Sequence, residues 1–314
     1  MSQNVLYIAF VWNQHQPYYF DAGRGEFIMP WVRLHATKDY YQMAAILENY
    51  PEIKQTFSLS PSLLEQINGY LHNEAVDYYL KAMKKAKDLN EGEKKFLLQH
   101  FFDIQWERVI DQHNYYRQLL ERQGRVTEPE EVEKALKKYT TQDYLDLQIW
   151  FNLVWIDPEI RSNDPFLSDL LEKGRNFSEE EKEKLIKYHY SIMEKVIPEH
   201  RRLQEKGQIE IITTAYYHPI LPLLVDNHSA LRSSPGLSLP DRFRFVEDAR
   251  AQVKMAVEEH ARLFGEKPCG FWPPEMAVSP EIIPLLVDEG FKWTISDEQV
   301  LCKSMNVEIY RDGY

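Results

Sequence analysis

The sequence predicts a parallel α/β fold interrupted by a long helical insertion, and three observations carry that expectation. Val5-Leu6-Tyr7-Ile8-Ala9-Phe10-Val11-Trp12 is a continuous apolar run, the pattern of a strand covered on both faces as in a parallel sheet. Strand-like and helix-like stretches then alternate as β-α-β-α, the order that builds such sheets. Between about residues 65 and 205, helical periodicity and charge dominate and no convincing strand is found.

Taken in order, the first strand leads into Asn13-Gln14-His15-Gln16-Pro17, a polar cluster at a strand's carboxyl end. Gln14, His15 and Gln16 supply donors and acceptors suited to hydroxyls, although a surface loop with a capping histidine reads equally well there. Asp21 to Pro30 reads as an irregular loop. A helix opens at Trp31 and runs to about Tyr50, where Pro51 stops it. Lys54–Leu59 is the second strand, and Ser60-Pro61 starts the next helix as N-cap and N1 proline.

The insertion is expected to hold helices over Ala75–Lys87, Glu91–Phe102, Trp106–Gln123, Glu128–Tyr139, Gln142–Trp155 and Ser178–Glu205. Trp150–Trp155 is rich in aromatics, which fits the core of that insertion better than a cleft. Its Lys/Glu runs read as solvated helix faces.

The sheet resumes at Gly207–Thr214, which ends in Tyr216-Tyr217-His218-Pro219. Asp241–Phe264 is a long amphipathic helix. Gly270–Trp272 is a fourth strand, followed by Pro273-Pro274-Glu275 and by Ser279-Pro280, which signals a helix to Glu289 with Gly290 as its C-cap. Phe291–Ile295 is a fifth strand, ending in Ser296-Asp297-Glu298.

His15, His218, Glu275 and Asp297 therefore all follow strand ends. In parallel α/β folds those ends share one face, where chemistry is done. Taken alone, Trp272-Pro273-Pro274-Glu275 is first an ordinary exposed loop glutamate beside a core tryptophan. The convergence of several strand ends is what raises it to a candidate, and the two prolines suggest a carboxylate held in place.

Bulk properties narrow the class. The chain has 314 residues, 44% hydrophobic and 27% charged, enough for one large domain or two ordinary ones. A formal charge of -12 argues against nucleic-acid and anionic-membrane partners. Cys269 and Cys302 lack metal spacing and fit a reducing compartment. The N-terminal apolar run is too short for a signal peptide or membrane span, so a cytoplasmic location is expected.

His15-Gln16-Pro17, Gly207–Glu210 through His218–Pro222, and Gly270-Phe271-Trp272-Pro273-Pro274-Glu275 resemble, in order, the first three motifs of glycoside hydrolase family 57. Trp31–Tyr41, Pro51–Leu64 and Trp150–Pro158 are similar to its amylopullulanase and α-amylase branch. The resemblance implies a (β/α)7 barrel and a retaining enzyme acting on α-glucans such as starch, glycogen or pullulan. It implies no required metal or other cofactor. It carries Glu275 over as the nucleophile and His15, His218 and Trp272 as substrate-binding residues. Gln16 and Asp297 join them as substrate-binding candidates from their places on the same rim.

One departure stands out. The family's fourth motif, which holds the acid aspartate, lies well beyond the third, and neither Asp297 nor Asp312 sits in a matching segment. The expectation is that residues 1–314 are the N-terminal part of a catalytic barrel, with the helical insertion at about 65–205 and the general acid beyond residue 314. Alternatives are a 4-α-glucanotransferase or branching activity on the same fold, or a glucan-binding protein without catalysis. A metal-dependent deacetylase or a zinc-dependent mannosidase on a related barrel would need acidic and histidine ligands converging on one ion, and Gln14-His15-Gln16 offers no acidic partner.

Overall fold

The apolar runs form short strands. The computed structural model describes residues 7–72, 75–124 and 129–309. Its strands are β1 Val11–Gln14, β2 Phe20–Asp21, β3 Glu26–Phe27, β4 Gln55–Leu59, β5 Ile209–Ile212, β6 Gly270–Phe271 and β7 Trp293–Thr294. β1 pairs in parallel with β4, skipping the small β2–β3 pair that lies between them in the chain, and β4 pairs in parallel with β5. Thr213, just past β5, makes a parallel bridge to Phe271 of β6, and β6 pairs in parallel with β7. The expected parallel α/β class is thus what forms, mostly helical, with a three-stranded sheet and a two-stranded one joined by that bridge.

Gly270 allows the β5–β6–β7 contact. A Cβ there would lie 2.4 Å from the Trp293 ring and 2.7 Å from Ile212 Cγ2, closer than a methyl group can stand. Helices pack behind these strands around Ala215, Leu221, Val253, Phe271, Ile282 and Leu286, all buried.

Contacts divide the chain into two compact units. One comprises residues 7–18, 47–65 and 197–309 and holds β1, β4, β5, β6 and β7. The other comprises residues 19–46 and 66–196 and is helical apart from the β2–β3 pair. In the helical unit, Thr141–Val154 is buried on every face from Asp143 onward, so Trp150 and Phe151 are core, as their composition suggested. Arg33 is fully buried there. Its Nε donates to Asp77 Oδ2 at 2.8 Å and its Nη1 to Asn152 Oδ1 at 2.9 Å, while Tyr70 Oη donates to Asp77 at 3.0 Å. A buried guanidinium is tolerable only with such a partner set.

Several expected boundaries move, each for a local reason. β1 starts at Val11; Tyr7–Phe10 are irregular and exposed, and Val5 and Leu6 lie outside the described residues. The run has a ladder partner only from Val11 onward, in β4. The loop after Asp21 contains a small antiparallel pair, β2 with β3, closed by Phe20 packing edge-on to Phe27 at 5.8 Å. Residues 31–49 are helical throughout, but a π-turn occupies Ala36–Tyr40. The helix expected over Ala75–Lys87 shrinks to Tyr78–Lys81, because Asp77 caps it from an extended position while bridging Phe27. Residues 106–109 are turns, Ile110–Gln112 is a short 3₁₀ helix, and the α-helix begins at Asn114. Pro158–Asn163 and Pro165–Lys173 are two further helices, each started by an aspartate whose carboxylate accepts backbone N–H groups. The helices expected from Asp241 and Ser279 start later, at Val246 and Ile283.

Candidate active site

The unit with the parallel strands brings three of the sequence-nominated residues together. β1 ends at Gln14, so His15 leaves its carboxyl end, and its Nδ1 lies 3.1 Å from Ser60 Oγ, just past β4. β5 ends at Ile212, and after a tight turn His218 folds back with its ring stacked on His15, centroids 3.7 Å apart and planes 16° apart. Thr214 Oγ1 lies 3.4 Å from His218 Nδ1. β6 ends at Phe271, and Glu275 follows on a single 3₁₀ turn with its Oε1 3.8 Å from His218 Nε2.

The backbone here is strained. Among the described residues, the non-glycine positions with positive φ are Asn176, Asn306, His218, Glu275 and Met276. Asparagine and histidine adopt that region more readily than other residues; Glu275 and Met276 do not, and both lie at this site beside His218. Such positions cost on the order of 1–3 kcal/mol each and persist where the surroundings impose them. Glu275 takes φ 54 and ψ 23 directly after Pro273 and Pro274, both buried. The carboxylate is presented outward, its side chain 72% exposed, while His218 is only 9% exposed.

Burial lowers His15 to about 4, with a further push from His218 and a smaller opposing pull from Glu275. Burial likewise lowers His218 to about 4. At neutral pH both rings are uncharged, so the 3.8 Å approach of His218 to Glu275 is a neutral imidazole beside a carboxylate and not an ion pair. Each neutral ring has one donor and one acceptor nitrogen; Nδ1 faces a protein hydroxyl, which leaves Nε2 for a ligand hydroxyl.

The remaining nominated residues fall as follows. Trp272 donates its backbone N–H to Thr213 O at 2.8 Å, and its side chain is half-buried. Gln16 is half-buried, and its carbonyl accepts Ser62 Oγ at 3.2 Å. Asp297 is exposed and N-caps the helix Glu298–Met305, its Oδ1 accepting the Gln299 amide at 2.7 Å. Asp312 lies outside the described residues. Ser60 and Thr214, the hydroxyls beside the two imidazoles, were not singled out from the sequence. Ser60 was readable only as a helix cap, and nothing local announces that its hydroxyl turns to His15.

Among the described residues, no group of three or more His, Cys, Asp or Glu side chains is arranged to hold a metal ion. No helix there is long and apolar enough to cross a membrane. The helical unit has its own cavity of about 560 Å³, walled by Trp31, Tyr78, Tyr79, Phe96 and His100, which none of the nominated residues lines.

Parallel strands followed by an outward carboxylate beside a neutral imidazole pair make this an α/β protein with a carboxylate-centred candidate site at its strand ends. The chain belongs to glycosyl hydrolase family 57, whose family model matches residues 9–310. A stretch of 97 residues is 33% identical to the 1,4-alpha-glucan branching enzyme of Thermococcus kodakarensis, covering 31% of this chain and 12% of that enzyme. Similar solved structures are a branching enzyme from Pyrococcus horikoshii, at 19% identity and TM-score 0.46, and the alpha-amylase AmyC from Thermotoga maritima, at 15% and 0.44. They cover 95% and 92% of this chain, while the chain spans only 42% and 39% of theirs.

Proposed function

We propose that Glu275 is the nucleophile of a retaining, α-glucan-active site, and that the neutral His15–His218 pair and Trp272 bind the sugar it attacks. The observation that carries this reading is the Glu275 turn: a carboxylate fixed at φ 54 behind β6, exposed, with an uncharged imidazole 3.8 Å away. In the first step a carboxylate oxygen bonds to the anomeric carbon as the glycosidic C–O bond breaks, and a second carboxyl group donates a proton to the departing oxygen. In the second step that group, now a base, takes a proton from water as the water oxygen displaces Glu275 from the same carbon. Two inversions leave the configuration unchanged.

Among the described residues, Glu275 is the carboxylate held next to the imidazole pair, and its partner acid is left unassigned. The five parallel strands in chain order support a barrel of the (β/α)7 kind for the complete domain, with the helical residues at about 65–205 as its insertion. The unpaired Cys269 and Cys302 agree with a cytoplasmic setting.

An α-amylase or amylopullulanase-like hydrolase is the primary reading. Transfer to a sugar hydroxyl is the second, favoured by the 33% identical stretch shared with a branching enzyme. Analysis of products from maltoheptaose separates them: reducing ends accumulate in hydrolysis, and longer or branched chains in transfer.

The nucleophile is tested by Glu275→Ala with an α-glucosyl fluoride donor, whose leaving group needs no acid. Activity should be lost, and azide should restore turnover and give a glucosyl azide of inverted configuration. Glu281→Gln is the control, because Glu281 is held in a surface ion pair with Arg232 at 2.8 Å. Retention of most activity by Glu275→Ala removes the assignment.

A further inference from the structure

Beside the imidazole pair, two aromatic rings stay exposed although they are rigidly held. Tyr18 is 40% exposed and Tyr217 44% exposed. They meet edge to face, centroids 5.0 Å apart, and Tyr216 backs Tyr217 in the same way at 4.7 Å. Large rings left in water are ordinary when loose, but these are clamped from beneath by the helix Pro61–Leu71. Ser62 Oγ donates to Gln16 O and Ser62 N to Tyr216 O, both at 3.2 Å, tying the loop after β1 to the loop after β5. Glu65, one turn on and on the same helix face, accepts from Tyr18 Oη at 2.8 Å. Burial and then the charge of Glu65 push the Tyr216 and Tyr217 phenols up. Gln252 completes the mount, its Oε1 accepting the Tyr217 N–H at 2.8 Å.

We infer that Tyr18 and Tyr217 form a sugar-stacking subsite, fixed by Glu65, for a glucosyl unit flanking the one at Glu275; this rests on the α-glucan reading above. Tyr18 lies three residues after His15 and Tyr217 immediately before His218, so both rings leave the same two loops as the imidazole pair. A pyranose ring has an apolar C–H face that matches an aromatic surface and hydroxyl edges that match phenol and carboxylate oxygens. The buttressing carboxylate disfavours an anionic ligand, so the subsite fits a neutral chain of sugars. Because the rings are already ordered, little rotamer freedom is lost on binding.

The test is calorimetric titration of the full 314-residue chain with maltose and with maltohexaose, in a Glu275→Gln background so that ligand is not consumed. Tyr217→Ala should weaken maltohexaose by about fivefold or more, as expected for one lost stacking contact, and leave maltose within twofold. Tyr217→Phe should keep the affinity. Glu65→Ala, which leaves both rings but releases them, should fall between the two. Circular dichroism and melting temperature establish that each variant is folded. Equal loss for both ligands, or none for either, overturns the subsite while leaving the α-glucan reading intact. No binding of either sugar by the parent chain overturns both.

Discussion

His15 and His218 lie face to face with ring centroids 3.7 Å apart. Two imidazolium ions cannot share that spacing, and burial already disfavours one. The pair is therefore neutral, with hydrogen-bonding nitrogens beside the Glu275 carboxylate.

The pair makes folding sensitive to acid. Both folded-state values sit at about 4, below the usual 6.5, so as pH falls the unfolded chain takes up protons first. Their contribution to stability is complete above pH 6.5 and is lost as pH falls through about 4. Histidine NMR titration should place both transitions near 4. In a His218→Ala variant the His15 transition should move up, because one of its two depressing causes is gone. Titration of both rings between 6 and 7 in the parent chain contradicts the stacked, buried pair.

Asp297 carries two candidate roles that a conservative replacement separates. As the N-cap of Glu298–Met305, it should be replaceable by Ser or Asn with no change in glucan affinity, whereas Asp297→Ala should fray that helix at a cost of about 0.5–2 kcal/mol. Hydrogen exchange along residues 298–305 reads the fraying. A loss of affinity in Asp297→Ser with the helix intact assigns the carboxylate to substrate instead.

Gly270 is required by contact and not by backbone angle. Gly270→Ala should destabilise the chain by about 1–3 kcal/mol or more through overpacking against Trp293 and Ile212. Denaturant unfolding measures it, and Trp293→Leu in the same chain should recover part of the loss. A neutral Gly270→Ala would show that β6 and β7 are not as close as described.

The sequence made some of this legible and hid the rest. The five parallel strands were readable because each apolar run ends in a polar or proline-marked turn. The Glu275 turn was readable because two prolines leave the backbone few choices. The missed helices at Pro158 and Pro165 had a signal, an Asp-Pro pair at each start, but each is shorter than three turns and shows little periodicity. The division into a strand-bearing unit and a helical unit that takes in residues 19–46 was not readable, because those residues leave no compositional step before the insertion. Ser60 and Thr214 could not be nominated either, since a hydroxyl's partner depends on which strands become neighbours. The Arg33–Asp77 pair spans 44 positions, and neither residue's surroundings in sequence predict full burial.

The central claim is that Glu275 bonds covalently to the sugar. The chain should be incubated with 5-fluoro-α-D-glucosyl fluoride, whose ring fluorine slows the second step and whose leaving group needs no acid, and then digested for peptide mass spectrometry. The account predicts one fluoroglucosyl adduct, on the peptide containing Glu275, and none in Glu275→Gln. An adduct on any other carboxylate, or an unlabelled chain that still releases fluoride, would contradict it.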